Sequence, residues 1–317
     1  MDTHLRIEGL DDLAWGQCNG HVERASHPQE QREEDAHGQA SHCPRTYPHA
    51  PTYHRKESLV SQILGNDPSC LLIPTDYNQG VEYPTEGEFN ADSFILRLRH
   101  ALTGPLPGVE AQLAMAPLGH TPPVLPRNDV RQSAVLALLH RRAGYKRFPE
   151  ALSLLFTLRP NSLRHHPGQI SFPGGGAEPP DDSLAATALR ETSEELGIPT
   201  GTVRILGELT PLYIAPSRIL VHPFVGWLPE LPTLTPDPVE VSEILEVPLN
   251  HLLDPGQTGT HIWYRDGTSH TAPCFLVPAP VGETREGEEM QVHIWGATAM
   301  ILNELLEVIR LLVPQTL

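Results

Sequence analysis

GQISFPGGGAEPPDDSLAATALRETSEELGI, residues 168–198, sets a run of glycines before three glutamates, Glu191, Glu194 and Glu195. Like charges three and four residues apart on a helix repel by a few tenths of a kcal/mol per pair. Something must offset that repulsion. The spacing predicts a helix over about 182–196. With Leu184 at zero and about 100° per residue, Ala188, Thr192, Ala185, Leu196 and Leu189 fall between about 40° and 140°. Glu194, Glu191 and Glu195 fall between about 280° and 20°. An apolar stripe for a sheet therefore lies beside an acidic stripe for a cleft. Asp181, Asp182 and Ser183 are candidate caps for the first turn. Gly197 is placed to end the helix in the left-handed conformation.

A lone RExxEE reads as a solvated surface helix, with Arg190 pairing to Glu194 at i,i+4. The preceding loop changes that reading. Gly174, Gly175 and Gly176 reach backbone angles closed to other residues, so a main-chain carbonyl or amide can face the same cleft. Carboxylates plus a backbone carbonyl are ligands for a hard cation, Mg²⁺ or Mn²⁺. A divalent ion would turn the repulsion among the glutamates into attraction.

Outward from this stretch, QSAVLALLH (132–140) and ALSLLFTLR (151–159) are apolar runs of strand length. TVRILGEL (202–209), RILVHPFVGWL (218–228), HIWY (261–264) and CFLV (274–277) are further strand candidates, and VPLNHLLD (247–254) reads as one or two helical turns. SFILRLRHAL (93–102) has helical spacing, followed by a proline-rich connector, and IWGATAMILNELLEVIRLL (294–312) predicts a long amphipathic helix beginning at Ile294. Interleaved strands and helices give an α/β class, a sandwich with mixed sheet between helical layers. Residues 1–90 show little periodicity and are rich in Pro, His, Gln and Glu in their first two thirds, a low-complexity arm expected to be largely disordered; the folded domain is expected over 91–317. The histidines of the arm lack zinc-site spacing with Cys43.

The net charge of −17 argues against a protein that coats nucleic acid. Four cysteines with no CxxC pair are not a disulfide scaffold. No apolar run reaches the ~18 residues of a membrane span, and the first residues lack a signal peptide's order. A cytoplasmic protein with no nucleic-acid or membrane partner is expected, and a homodimer is left open.

Residues 176–198 resemble the Nudix box, G-x5-E-x7-R-E-U-x-E-E-x-G-U, where U is bulky and apolar. Counting back from Arg190 puts the box glycine at Gly176 and its first acid at Asp182; with Gly175 as the box glycine instead, the loop is one residue too long. Arg190, Glu191, Glu194, Glu195, Gly197 and Ile198 match; Asp182 stands for Glu and Thr192 for an aliphatic residue. Residues 155–175, LFTLRPNSLRHHPGQISFPGG, resemble the signature of the coenzyme A-type Nudix pyrophosphatases, LLTxR(S/A)-x3-R-x3-G-x3-FPGG. Thr157, Arg159, Arg164, Gly168, Phe172, Pro173, Gly174 and Gly175 match in register; Phe156 and Pro160 depart.

The resemblance implies a Nudix-type α/β/α sandwich. It also implies metal-dependent hydrolysis of the pyrophosphate bond of coenzyme A, or a derivative, to 3′,5′-ADP and 4′-phosphopantetheine. Glu191, Glu194, Glu195 and Gly175 would hold Mg²⁺ or Mn²⁺. Glu191, Glu194 and Arg190 would be catalytic, Arg190 by orienting a glutamate. Glu191, Glu240 and Glu243 are the candidates for general base. Arg159, Arg164, Gly168, Gln169 and Phe172 would line the substrate site, Phe172 by packing rather than by stacking on adenine; Trp295, just before the last helix, reads as core. The alternatives are hydrolysis of another nucleoside diphosphate derivative, such as NADH or ADP-ribose, and a non-catalytic nucleotide sensor on the same fold.

Overall fold

Strand β1, Arg131–Arg141, alternates between two cores. Ala134, Leu136 and Leu138 enter one cluster, and Ala137 and Leu139 the other. That period of two is the signature of a strand buried on both faces. The computed structural model describes residues 90–120, 126, 128–162, 168–265, 267–279 and 291–313. All belong to one compact unit. The arm expected over residues 1–90 lies outside the described residues, apart from Asn90.

Around β1 assembles an eight-stranded mixed sheet. β2 (Leu152–Leu158) pairs antiparallel with the C-terminal half of β1, Leu139 opposite Leu154. β3 (Ile170–Ser171) pairs with the far end of β2, and β4 (Gly174–Gly176) with the N-terminal half of β1. Residues 170–176 thus fill the opening where β1 and β2 splay apart. β5 (Arg204–Glu208) and β6 (Leu212–Ile214) pair antiparallel with β7 (Ile219–Leu228), which runs parallel to β1. β8 (Glu243–Pro248) closes the other edge of β2.

Helix α3 (Leu184–Leu196) covers one face, with Ala188, Leu196 and Ile198 meeting Leu136, Leu155 and Phe224. On the other face lie α1 (Ala91–Ala101), α2 (Gly108–Leu113) and α5 (Gly296–Leu312). The short α4 (Leu249–Leu253) follows β8. A separate three-stranded antiparallel sheet, β9 (Thr258–Arg265), β10 (Thr268–Pro278) and β11 (Gln291–Trp295), packs Phe275, Val277 and Ile294 into the same core as α5. α5 is buried on nearly every side. Its Glu304, fully buried, accepts from Gln112 Nε2 at 2.8 Å, Thr210 Oγ1 at 2.6 Å and the Gly108 and Thr210 amides at 3.2 Å. Four donors satisfy a carboxylate that burial alone would penalise, and they tie α2 to α5.

The mixed sheet between helical layers is the architecture expected. Three details differ. The proline-rich connector contains α2. Ile294 and Trp295 end a strand, and the helix starts at Gly296, whose φ of 63° turns the chain. The helix predicted from about 182 starts at Leu184, because Ser183 is extended and caps it.

Candidate active site

Both ends of α3 are anchored. Ser183 Oγ accepts from the Ala186 amide at 3.1 Å, which satisfies one of the first turn's free donors. Gly197 is left-handed, φ 72°, and a Cβ there would collide with Thr235. The amides of Thr235 and Asp237 donate to the carbonyls of Leu196 and Glu195, each at 3.0 Å. The helix end therefore holds the segment that carries Glu240. That segment folds back through Glu240 and Val241 amides on the Asp237 carbonyl, and Ser242 donates to Leu158 of β2.

Along the helix, Arg190 is the hub of an ion-pair cluster. Asp181 takes it in a fork, Nε to Oδ1 at 2.9 Å and Nη2 to Oδ2 at 3.0 Å. Arg190 also reaches Glu191 at 3.0 Å, Glu194 at 2.9 Å and the Gly176 carbonyl at 3.0 Å. Asp181 further accepts from Thr187 Oγ1 at 2.8 Å and the Glu178 amide at 3.0 Å. The Arg190 fork, then the Glu178 amide, holds the Asp181 carboxyl well below the usual range, and Asp181 in turn raises Arg190 further. Of the three candidate caps, Ser183 alone caps the helix. Asp181 is the acid that grips Arg190, and Asp182, aligned with the box acid, is exposed. The Asp181 amide bonds back to Glu178, so the turn brings in the earlier of the two aspartates.

The other end of the acidic stripe is different. Glu195 is 3% exposed and accepts from the Gly174 amide at 3.2 Å. Burial drives its carboxyl up to about 8, against the pull of the Gly174 amide and Arg159; Glu240 and Glu191 push it further. Burial also raises Glu191, against Arg190, with Glu194 and Glu240 adding repulsion. Glu191 rests on Gly175, where any Cβ would overlap its carboxylate. Gly174, φ 151°, lies where a Cβ would strike the backbone of β1. These two glycines are required by close approach. The Gly175 carbonyl accepts from Ser133 Oγ at 2.7 Å. Glu194 is the exposed member, its side chain 59% accessible.

Strand alternation identifies the facing wall. Leu155 lies on the α3 side and Phe156 on the other, so Thr157 and Arg159 return to the α3 side. Thr157 Oγ1 lies 3.1 Å from Ser171 Oγ, and the Arg159 amide donates to Gln169 at 3.0 Å. Thr157, Arg159, Gln169 and Ser171 therefore face Glu191, Glu195 and Glu240. Among the described residues, the Arg159 Nε is buried without a hydrogen-bond partner. Gly168, φ 66°, donates its amide to the Arg159 carbonyl at 3.1 Å and shapes the turn. Phe172 is a correction: 3% exposed and stacked on Phe156 at 4.8 Å, it belongs to the core. Arg164 lies outside the described residues. Ser171 was missed, and its pairing with Thr157 across two short strands leaves no period to read.

Residues 130–266 match the NUDIX domain family. The uncharacterized Nudix hydrolase NudL of Photorhabdus laumondii is 40% identical over 153 residues, 48% of this chain and 75% of that protein. The chain belongs to the Nudix hydrolase family. NudL of Yersinia enterocolitica is 37% identical over 156 residues, 48% of this chain and 72% of its own. The NUDIX domain of Shewanella oneidensis NrtR, solved with ADP ribose, aligns at 19% identity and TM-score 0.32, over 40% of this chain and 77% of that one. That last likeness is too slight to carry an inference.

As a Nudix hydrolase, the protein is an enzyme acting on the pyrophosphate linkage of a nucleoside diphosphate derivative. The family generally works with divalent ions such as Mg²⁺ or Mn²⁺. Among the described residues, no three His, Cys, Asp or Glu side chains are gathered on one metal position. The donor chemistry nevertheless fits a hard cation: carboxylate oxygens and a backbone carbonyl, with two carboxyls raised by burial and by one another's charge. Among the described residues, no helix is long and apolar enough to cross a membrane.

Proposed function

We propose that the protein hydrolyses the pyrophosphate bridge of coenzyme A or a derivative, yielding 3′,5′-ADP and 4′-phosphopantetheine, with Mg²⁺ or Mn²⁺. The observation that carries this is Arg159. Its buried Nε, unpartnered among the described residues, lies beside the raised Glu195 carboxyl, next to the strand that bears the coenzyme A-type signature. A guanidinium donor left unsatisfied among the described residues is matched by a phosphate oxygen of the substrate.

Glu191, Glu194, Glu195 and the Gly175 carbonyl would hold the ion, which screens the diphosphate charge and acidifies water when bound. Arg190, fixed by Asp181, holds Glu191 and Glu194 in place. Arg159 and Gln169 orient the diphosphate. Glu240, whose charge acts on both Glu191 and Glu195, takes the proton from water as its oxygen bonds to phosphorus. The bridging P–O bond breaks, and its electron pair leaves with the departing phosphate.

The test is a product assay on coenzyme A, NADH and ADP-ribose with each metal. Release of 3′,5′-ADP from coenzyme A should dominate. Preferential cleavage of NADH or ADP-ribose would overturn the substrate assignment.

A further inference from the structure

The small sheet carries an array of rings that the hydrolytic chemistry does not use. On its middle strand, Ala272 and Cys274 are small and almost fully buried. Because they are small, rings from the outer strands lean over them and meet. His261 and Trp295 stack with centroids 4.4 Å apart and planes 18° from parallel. Trp263 lies 4.9 Å from Trp295 at 30°, and His270 lies 5.4 Å from Trp263 at 22°. His293 meets His261 edge-on, their Nδ1 atoms 3.0 Å apart. Trp295 was expected in the core, yet it is only half-buried. Its ring partners are His261 and Trp263, both on β9.

The position of this array relative to the cleft follows from alternation. Ile170 and Phe172 of the glycine-loop segment and Ile294 of β11 all enter the same core. β3 and β11 are neighbours, and Thr298 Oγ1, three residues past Trp295, donates to the Ile170 carbonyl at 3.1 Å. The residues that alternate with these buried ones therefore face away from that core: Gln169 and Ser171 on one side of the junction, His293 and Trp295 on the other. The ring array and the Gln169–Ser171 face therefore meet at the β3–β11 junction, the array beginning where the diphosphate cleft ends.

We propose that Trp295, backed by His261 and Trp263, is the stacking platform for the purine base of the substrate's nucleotide half. The inference rests on the reading of the neighbouring cleft as the diphosphate site. An indole backed by further rings offers a wide, rigid π-face, which a planar base covers without specific hydrogen bonds. Burial, and the neighbouring His293, hold the His261 imidazole down at about 4. It is neutral at pH 7, and the platform presents aromatic surface rather than charge.

The test is calorimetric titration of the full chain with AMP and with ribose 5-phosphate, which lacks the base. Wild type should bind AMP about tenfold or more tightly than ribose 5-phosphate. Trp295→Leu should erase that preference, and Trp295→Phe should keep most of it. Trp295→Phe also serves if the leucine variant does not fold, because with coenzyme A it should raise KM modestly while leaving kcat unchanged. An AMP preference that survives in Trp295→Leu, or no preference in wild type, would overturn the platform. So would an unchanged KM in Trp295→Phe where that variant is the one measured. Binding needs no turnover. A Trp295-dependent AMP preference in a protein that leaves coenzyme A intact would keep the platform and sink the coenzyme A reading. Hydrolysis of coenzyme A with no effect of Trp295 would do the reverse.

Discussion

The two ends of one acidic stripe on α3 behave oppositely. Around Arg190, each charge has a partner: Asp181 in a fork, Glu191 and Glu194 at ion-pair distance, and Gly176 through its carbonyl. Around Glu195, carboxyls are buried beside one another, with one amide and the charge of Arg159 to ease them. The paired end is scaffold. The strained end stores unfavourable electrostatics that a bound cation and substrate would relieve, as is common where a site is tuned for chemistry. On the proposed function, neighbouring residues of one helix divide positioning from reaction.

Glu195→Gln attacks the strained end and carries the largest expected effect. Turnover should fall about a hundredfold or more, while Tm in chelator stays level or rises, since a carboxyl whose ionisation burial penalises is removed. A drop in Tm with activity retained would reverse the division proposed. Asp181→Asn attacks the paired end. It removes the grip on Arg190 and should lower turnover by about tenfold, the scale of losses from residues that orient metal-site ligands. Asp182→Asn, one residue on, should stay within about twofold of wild type. Equal effects from the two would mean that Asp181 does not position Arg190. Gly197→Ala acts more remotely. Its left-handed backbone and the Thr235 contact should cost about 1–3 kcal/mol of stability in a denaturant titration. It should also raise KM or lower kcat modestly by shifting the segment that bears Glu240.

Much of this site could be read before the fold was known, and the exceptions have physical causes. α3 was legible because the period, the Ser183 cap and the Gly197 stop agree over one local stretch. The choice between Asp181 and Asp182 was not legible: counting along a chain cannot see a turn one residue longer, closed here by the Asp181 amide on Glu178. The burial of Glu195 was also hidden. The helical wheel puts it at about 20°, at the edge between acidic and apolar stripes, and only the strand laid over it at Gly174–Gly175 decides which it joins. β3 and β4 have two and three residues, too few for a period to show. β11 ran on into the apolar pattern of α5, and the break lies in the extended backbone of Trp295 and the positive φ of Gly296.

The smallest expected effect is a pH dependence of stability, and here the two ends should have opposite signs. Asp181 has a lowered carboxyl in the folded protein, so its contribution is present above the ordinary carboxylate range and is lost as pH falls below it. Glu195 is raised to about 8. Between its ordinary pKa and that value, the folded protein holds a proton that the unfolded chain has released. Its contribution is therefore full at low pH and is lost as pH rises towards about 8. In chelator, wild-type Tm should decline by a few degrees from pH 5 to pH 8 relative to Glu195→Gln. Saturating Mg²⁺ at ~100 times Kd would add ~2.7 kcal/mol, and the gain should grow with pH as the carboxyl is freed to bind. Parallel Tm profiles for wild type and Glu195→Gln, with or without Mg²⁺, would show that the buried carboxyl is not the strained group. The contrast between the two ends of the helix would then have to be drawn elsewhere.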